Sequence, residues 1–407
     1  MAKPTSQLNV VSAENALILY SPKDGKVAIS LGNIKRILSI SKGLNKIDLG
    51  FGDRVLVKVK AKVCDASNCA TVVVPIGSDR AEYDSFRKEL SFNTYLGRLR
   101  LKLEPLKVLW YKDLEHKVES TALSDSGIVG VAPQTNKVLF YSLKGDLISE
   151  IYTVDDVDDI SYNNGLFGAI DWQSNVYVIE EQTRKLISKF KVDEIVHKYN
   201  NSISIGKRGI LVCGNACKFY SFKGKEMWEF EDVGTVFNSP VYSNGYFYIP
   251  SFDKKSVYIV NEMGKVINKI ETGGKGVSAA VCNDLLAVTN LRTLKLYHVV
   301  NPKKPRRLWA RNLGGFGGLL EDRGSEVSFS NKCKFLALAD MRHRMLKIFN
   351  NRGYLIWTRK FDRKVVSVSW KRSLLVVGLD DQVMLFKVTN DMSKIRIHDE
   401  FAIRHIS

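Results

Sequence analysis

Histidine is scarce in this chain of 407 residues, and its scarcity narrows the chemistry available. The six are His116, His197, His298, His343, His398 and His405. None forms a His-x-His pair or the His-Glu-x-x-His helix on which zinc peptidases hold their metal. No Gly-x-Ser-x-Gly elbow presents a nucleophile. No run approaches about eighteen uninterrupted apolar residues, so no membrane-spanning helix is expected. The opening Met1-Ala2-Lys3-Pro4-Thr5 lacks the apolar core of a signal peptide, which predicts a cytoplasmic protein. Glutamine is confined to Gln7, Gln134, Gln173, Gln182 and Gln382 while lysine abounds, a bias that fits a thermophile's avoidance of labile amides.

Two motifs that suggest chemistry have plainer readings. Gly314-Gly315-Phe316-Gly317-Gly318 lacks the Lys-Ser/Thr of a phosphate loop and reads as an inter-repeat loop. Asp155, Asp156, Asp158 and Asp159 lack the glycine and downstream glutamate of a calcium loop and read as a solvated acidic loop. The six cysteines include two close pairs. Cys64 and Cys69, and likewise Cys213 and Cys217, flank short turns between alternating apolar runs, where a disulfide is geometrically open. Intracellular disulfides occur in hyperthermophiles. Free structural thiols, or one four-thiolate zinc site, are the competing readings. Cys282 and Cys333 lie in apolar strands and read as core.

From about residue 106 onward one unit recurs seven times. Each copy has a β-rich run, a tight polar turn, two alternating apolar strands, a second turn and an amphipathic closing strand. The first turns fall at Asp125-Ser126-Gly127, Asn163-Asn164-Gly165, Lys207-Arg208-Gly209, Ser243-Asn244-Gly245, Asn283-Asp284, Asn331-Lys332 and Lys371-Arg372, a spacing of 36 to 48 residues. That is the period of a four-stranded propeller blade, and a lone blade cannot bury its apolar faces. The predicted fold class is all-β: a seven-bladed β-propeller over 106–407, after a small, mostly β N-terminal domain over 1–105 that contains one helix. The blades are expected at about 115–153, 154–191, 192–231, 232–272, 273–311, 322–361 and 362–401. Either residues 106–114 complete the last blade as a clasp, or the N-terminal domain supplies more of an eighth; residues 394–401 offer another closing strand. Within 1–105, residues 15–20 and 27–30 around Asp24-Gly25 read as a hairpin. Arg54 to Lys62 reads as a strand with a charged outer face. Ser78 or Asp79 would cap the helix, which carries Tyr83, Phe86 and Leu90.

Trp110, Trp228, Trp309 and Trp357 all fall in closing strands and read as wedges between neighbours. Turns such as Lys223-Gly224-Lys225 followed by Trp228 resemble the quinoprotein-like branch of the β-propellers, in which a glycine turn precedes a docked tryptophan. The Gly-His and Trp-Asp dipeptides of the WD-type branch are missing. The resemblance spans about 106–401 and implies a disc with a central channel. It implies no quinone cofactor, because proteins of this shape are commonly binding platforms.

Charge is the most specific functional signal. The net charge is +18; residues 1–106 contribute +7, and residues 301–372, with 18 basic and 5 acidic side chains, contribute +13. Arg342, Arg344, Lys360, Arg363 and Lys364 are expected on one face of the disc, and Lys303, Lys304, Arg306, Arg307, Arg352, Lys371 and Arg372 on the other; Arg359 completes the set. Such a surface attracts phosphates and releases counterions. The sequence assigns no catalytic residue, cofactor or metal ligand. The function expected is a non-catalytic docking platform within a larger assembly, engaging nucleic acid, nucleoprotein or an acidic protein. The alternatives are a quinoprotein-like or hydrolytic enzyme using the channel, and a structural subunit assembled through the N-terminal domain.

Overall fold

The computed structural model of the protein describes residues 8–84, 88–192, 201–290, 292–313, 325–397 and 403–406. The chain forms two compact units: Met1–Pro105 with Tyr354–Thr358 and Thr389–Ser407, and Leu106–Gly353 with Arg359–Val388. Regular structure among the described residues is β-strand with three short 3-10 turns, and no α-helix.

In the first unit, Val57, Val59, Ala61 and Val63 point inward while Lys58, Lys60 and Lys62 point outward along the strand Val55–Cys64. That alternation is the one the sequence shows. This strand pairs with Cys69–Ser78 and Gly25–Leu31, and Ile395–Ile397 returns from the C-terminus to pair with it as well. The 394–401 stretch is therefore no closing strand of the repeat. The expected hairpin across Asp24-Gly25 also fails. Ala16–Ser21 pairs with Asn9–Ala13 and Gly43–Asp48, whereas Gly25–Leu31 pairs with Ile34–Ile40.

The expected helix is a hairpin instead. Ala81–Asp84 pairs antiparallel with Glu89–Thr94, and Tyr83 lies opposite Leu90, both fully buried. A spacing of seven fits two helical turns, but it equally fits a cross-strand pair closed by a short turn, and burial favours the pair. Phe86 lies outside the described residues.

Seven successive four-stranded antiparallel sheets are built from the second unit, with residues 355–358 of the first completing the last strand of the sixth. Six are meanders, spanning 118–152, 157–191, 202–230, 241–271, 276–312 and 326–360. The seventh takes three strands from 365–388 and its fourth from Leu106–Asp113, paired antiparallel with Gln382–Val388. Residues 106–114 thus supply the clasp. The first strands of consecutive sheets are neighbours, and that of sheet seven neighbours that of sheet one, where Thr121 Oγ1 and Ser367 Oγ lie 2.8 Å apart.

Aromatic residues of the outermost strands dock on glycine turns of the following sheet. Trp110 packs on Gly145, Phe190 on Gly224, Trp228 on Gly264 and Trp309 on Gly353. Each indole N–H also donates to the carbonyl two residues before its glycine: Leu143 at 3.1 Å, Glu262 at 2.9 Å and Asn351 at 2.8 Å. Trp228 therefore docks one sheet onward, not on the Gly224 turn that precedes it in sequence. Trp357 is buried.

All six cysteines are paired. Cys64–Cys69 and Cys213–Cys217 each close a hairpin turn, so neither pair has a thiolate to offer a zinc ion. Cys282–Cys333, read from sequence as two core cysteines, joins the end of sheet five's first strand to the first turn of sheet six. It spans 51 residues and on the chain-entropy model stabilises the fold by about 4 kcal/mol. Alkylation under denaturing conditions should leave the intact mass unchanged and add six adducts only after reduction.

Gly264 and Gly245 share a positive φ of +80° and +82°, but a Cβ at Gly264 would meet the Trp228 ring at 2.8 Å while one at Gly245 meets nothing within 4 Å. Gly245→Ala should cost about 1 kcal/mol from the backbone alone. Gly264→Ala should cost clearly more, and calorimetric midpoints of the two variants measure the difference.

Candidate functional site

The first strand of each sheet has an unpaired edge whose backbone groups need partners. Side chains of the preceding sheet supply several. Asp159 Oδ2 accepts from Ile203 N at 2.9 Å and from Ser239 Oγ at 2.6 Å, and Asp158 Oδ2 accepts from Asn201 N at 3.0 Å. Ser278 Oγ accepts from Val327 N, Glu326 from Val368 N at 2.7 Å, and Ser328 Oγ from Trp370 N at 2.9 Å. Ser369 Oγ accepts from Leu123 N and carries the series from sheet seven to sheet one. Asp158 and Asp159 are 1% and 2% exposed, so half of the expected solvated acidic loop is buried wiring between sheets two and three. Their neighbours Asp155 and Asp156 remain partly exposed.

These strands enclose two cavities. The smaller one, about 140 Å³, is lined by hydroxyls such as Ser120, Thr121, Ser161, Ser239 and Ser278, together with Glu326. The larger one, about 470 Å³, is lined by residues from all seven sheets, including Asp125, Asn163, Ile205, Tyr242, Cys282 and Arg372. All of these sit where the first strand runs into its first turn, so the same ends of all seven sheets gather around this opening.

Charged and aromatic groups converge at its rim. Tyr162 donates to Glu181 at 2.6 Å and lies 3.3 Å from Asp125. Lys371 Nζ stands 3.7 Å from Asp125 and 5.5 Å over the Tyr162 ring. Burial alone would raise the Glu181 carboxyl, but hydrogen bonds from Ser126 and Tyr162 outweigh it and hold the group below its ordinary range. The Ser126 bonds tie sheet one's first turn to sheet two. Sheets three and four repeat the device: Glu262 accepts from Lys207 N at 2.9 Å and from Arg208 N. Tyr242, pushed up to about 12 by burial, then by Glu262, takes the place of Tyr162. Both glutamates are thus turn caps. No group of three or more potential metal ligands is present among the described residues.

The thirteen cations singled out in the sequence do not form one cluster. Lys303, Lys304 and Arg352 lie in third turns of sheets five and six, Arg306 and Arg307 follow on the adjoining strand, and Lys371 with Arg372 reaches the cavity rim. Arg342, Arg344, Arg363 and Lys364 lie at the opposite ends of sheets six and seven, as do Arg359 and Lys360 at the end of their strand. Their surroundings differ. Arg363 is bound by Asp113 at 2.8 Å and Asp381 at 2.9 Å, Arg344 donates to the Asp362 carbonyl, and Arg359 lies over the Phe361 and Phe386 rings. Lys303, Lys304, Arg306, Arg307, Lys360 and Arg372 are exposed, and no carboxylate lies in ion-pair range of them among the described residues. His343, between Arg342 and Arg344, bonds Asp340, which Lys347 also binds at 2.6 Å. His197 and His398 and the stretch Gly314 to Gly318 lie outside the described residues. No protein-family model matches the chain, and no curated protein matches it.

Because the Glu181 carboxyl is held below its ordinary pKa, its contribution to stability is complete above the unfolded value near 4.5 and is lost as pH falls through the folded value. Glu181→Gln should therefore cost about 1 to 3 kcal/mol at neutral pH. In paired unfolding curves the deficit should shrink below about pH 4.5.

Proposed function

We propose that the seven sheets are blades of a closed β-propeller of the quinoprotein-like kind, and that this propeller is a non-catalytic docking platform within a larger assembly. Closure is supported by the neighbouring first strands of sheets seven and one and by Trp110 of sheet seven packed on Gly145 of sheet one. The docking of Trp228 and Trp309 through ring and N–H together supports the resemblance. The partner is a nucleic acid, a nucleoprotein or an acidic protein, met by the basic surface of sheets five to seven.

One observation carries the functional reading: Lys303, Lys304, Arg306 and Arg307 stand exposed in a row with no carboxylate in range among the described residues. An uncompensated row raises the local concentration of polyanions, and arginine adds forked phosphate contacts. Three disulfides fit an oxidising compartment, or the cytoplasm of a hyperthermophile, better than a mesophilic cytosol.

A second reading rests on the cavity rim, where Asp125, Tyr162 and Lys371 converge: an enzyme, quinoprotein-like or hydrolytic, working in the channel. Turnover of a substrate panel that Lys371→Ala abolishes would favour it.

The leading reading is tested by fluorescence anisotropy with labelled duplex DNA, single-stranded DNA and RNA at several salt concentrations. Binding should weaken with salt, with a log–log slope of about −0.9 per phosphate engaged on duplex. Reversal of Arg306, Arg307, Arg342 and Arg344 to glutamate should weaken it by about tenfold or more. No binding at low salt would leave acidic proteins as the partner class, to be sought by co-purification.

A further inference from the structure

In an antiparallel meander the first and third turns lie at one end of the sheet and the second turn and exit loop at the other. The large cavity shows that the first-turn ends of all seven sheets gather together. Over the described residues, the first and third turns carry 14 basic and 5 acidic side chains, whereas the second turns and connecting loops carry 9 of each. Charge is thus segregated between the two ends of the sheets, although within sheets five to seven it is shared.

The acids at the positive end are largely engaged. Glu181 and Glu262 cap neighbouring turns, and Asp125 faces Lys371. Six of the cations have no such ties: Lys144, Lys223, Lys225, Lys265, Lys303 and Lys304 are exposed, with no carboxylate in ion-pair range among the described residues.

Aliphatic side chains project beside these lysines. Leu143 is 45% exposed next to Lys144, Met263 is 70% exposed two residues before Lys265, and Val300 is 60% exposed three residues before Lys303. All three belong to third turns. Among the described turn and loop residues at the opposite end, Val154 is the one comparably exposed large aliphatic. Exposed aliphatic tips between unpaired lysines have no use for a nucleic acid, which rewards stacking aromatics instead. No aromatic side chain is fully exposed in these turns among the described residues. Lipid headgroups above an acyl boundary match both features.

We infer that this end of the seven sheets is a peripheral docking surface for an anionic lipid bilayer. The lysines meet the headgroup phosphates, each gaining about fivefold in partitioning near such a surface. Leu143, Met263 and Val300 dip into the boundary below. Lys303 and Lys304 belong to both this surface and the row beside Arg306 and Arg307, but the lysines reversed below are not among the arginines reversed above, so either proposal can fail without the other.

Co-sedimentation with vesicles of phosphatidylcholine alone, or of phosphatidylcholine with phosphatidylglycerol, tests it. The protein should pellet with the anionic vesicles and stay in solution with the neutral ones. Reversal of Lys144, Lys223, Lys225 and Lys265 to glutamate should reduce binding by about a hundredfold or more. Their replacement by glutamine should give a smaller loss in the same direction, with the thermal midpoint of both variants unchanged. Leu143→Ser with Met263→Ser should remove the binding that survives at high salt. Failure of the wild-type protein to pellet with anionic vesicles at low salt would overturn the proposal. So would pelleting that the lysine reversals leave intact, or reversals that abolish nucleic-acid binding while vesicle binding is unchanged.

Discussion

The inward edges of the first strands impose the constraint on which the second unit depends. A sheet that turns its first strand toward a shared interior leaves a row of backbone donors facing neither water nor another strand, and each unsatisfied donor costs about 1 to 3 kcal/mol. Here the partner is a short polar side chain one sheet back: Asp159 for sheet three, Ser278 for sheet six, Glu326 and Ser328 for sheet seven, Ser369 for sheet one. The hydroxyl-rich lining of the cavities follows from that need. Polarity in these cavities is therefore no sign of catalysis in itself, because acceptors such as Glu326, Ser278, Ser328 and Ser369 already hold the fold together.

The outer edges have the complementary problem, since an exposed strand invites pairing with another chain. Sheets one to five each carry a register irregularity between the third and fourth strands, and sheet seven has one between Val108 and Trp110 of its clasp. A bulge twists the edge and spoils it as a template. At Leu109-Trp110, Met227-Trp228 and Leu308-Trp309 it also turns the exposed aliphatic residue outward while the ring goes to the next sheet's glycine. One local irregularity thus blunts the edge and fastens neighbouring sheets.

How much of this could be read from the sequence depends on the range of the interaction. Turn spacing and strand alternation are local, so the seven sheets and the strand Val55–Cys64 were legible. The Cys64–Cys69 and Cys213–Cys217 bridges, whose partners stand five and four residues apart, were open from sequence beside free thiols and a zinc site. Cys282 and Cys333 look like core cysteines because each lies in or beside an apolar strand, and nothing local links them across 51 residues. The Tyr83–Leu90 spacing was ambiguous between helix and hairpin, and only long-range packing decides it. Asp158 and Asp159 were misread for a similar reason. A run of aspartates looks solvated until the neighbouring sheet supplies the donors that make burial affordable. The candidate cations were identifiable by position, but which of them have acidic partners, as Arg363 has in Asp113 and Asp381, depends on the other strands of its sheet.

The same logic explains how a chain with 43 acidic side chains presents so positive an end. Many carboxylates are committed to backbone donors. Asp171 accepts from Gln173 N, Asn175 N and the Tyr177 hydroxyl at one turn, and Asp340 from His343 N and Lys347 at another. Glu181 and Glu262 join adjacent sheets, and Asp158, Asp159 and Glu326 serve the inner edge. A carboxylate can meet several backbone N–H groups at once, which an ammonium cannot, so acids are drawn into the fold where turns and edges must be satisfied. Lysines have no such employment and remain outside. Once those structural needs are met in acids, the positive exterior is what the sequence has left over, and its concentration at one end follows from which turns are capped by glutamate and which are left to lysine.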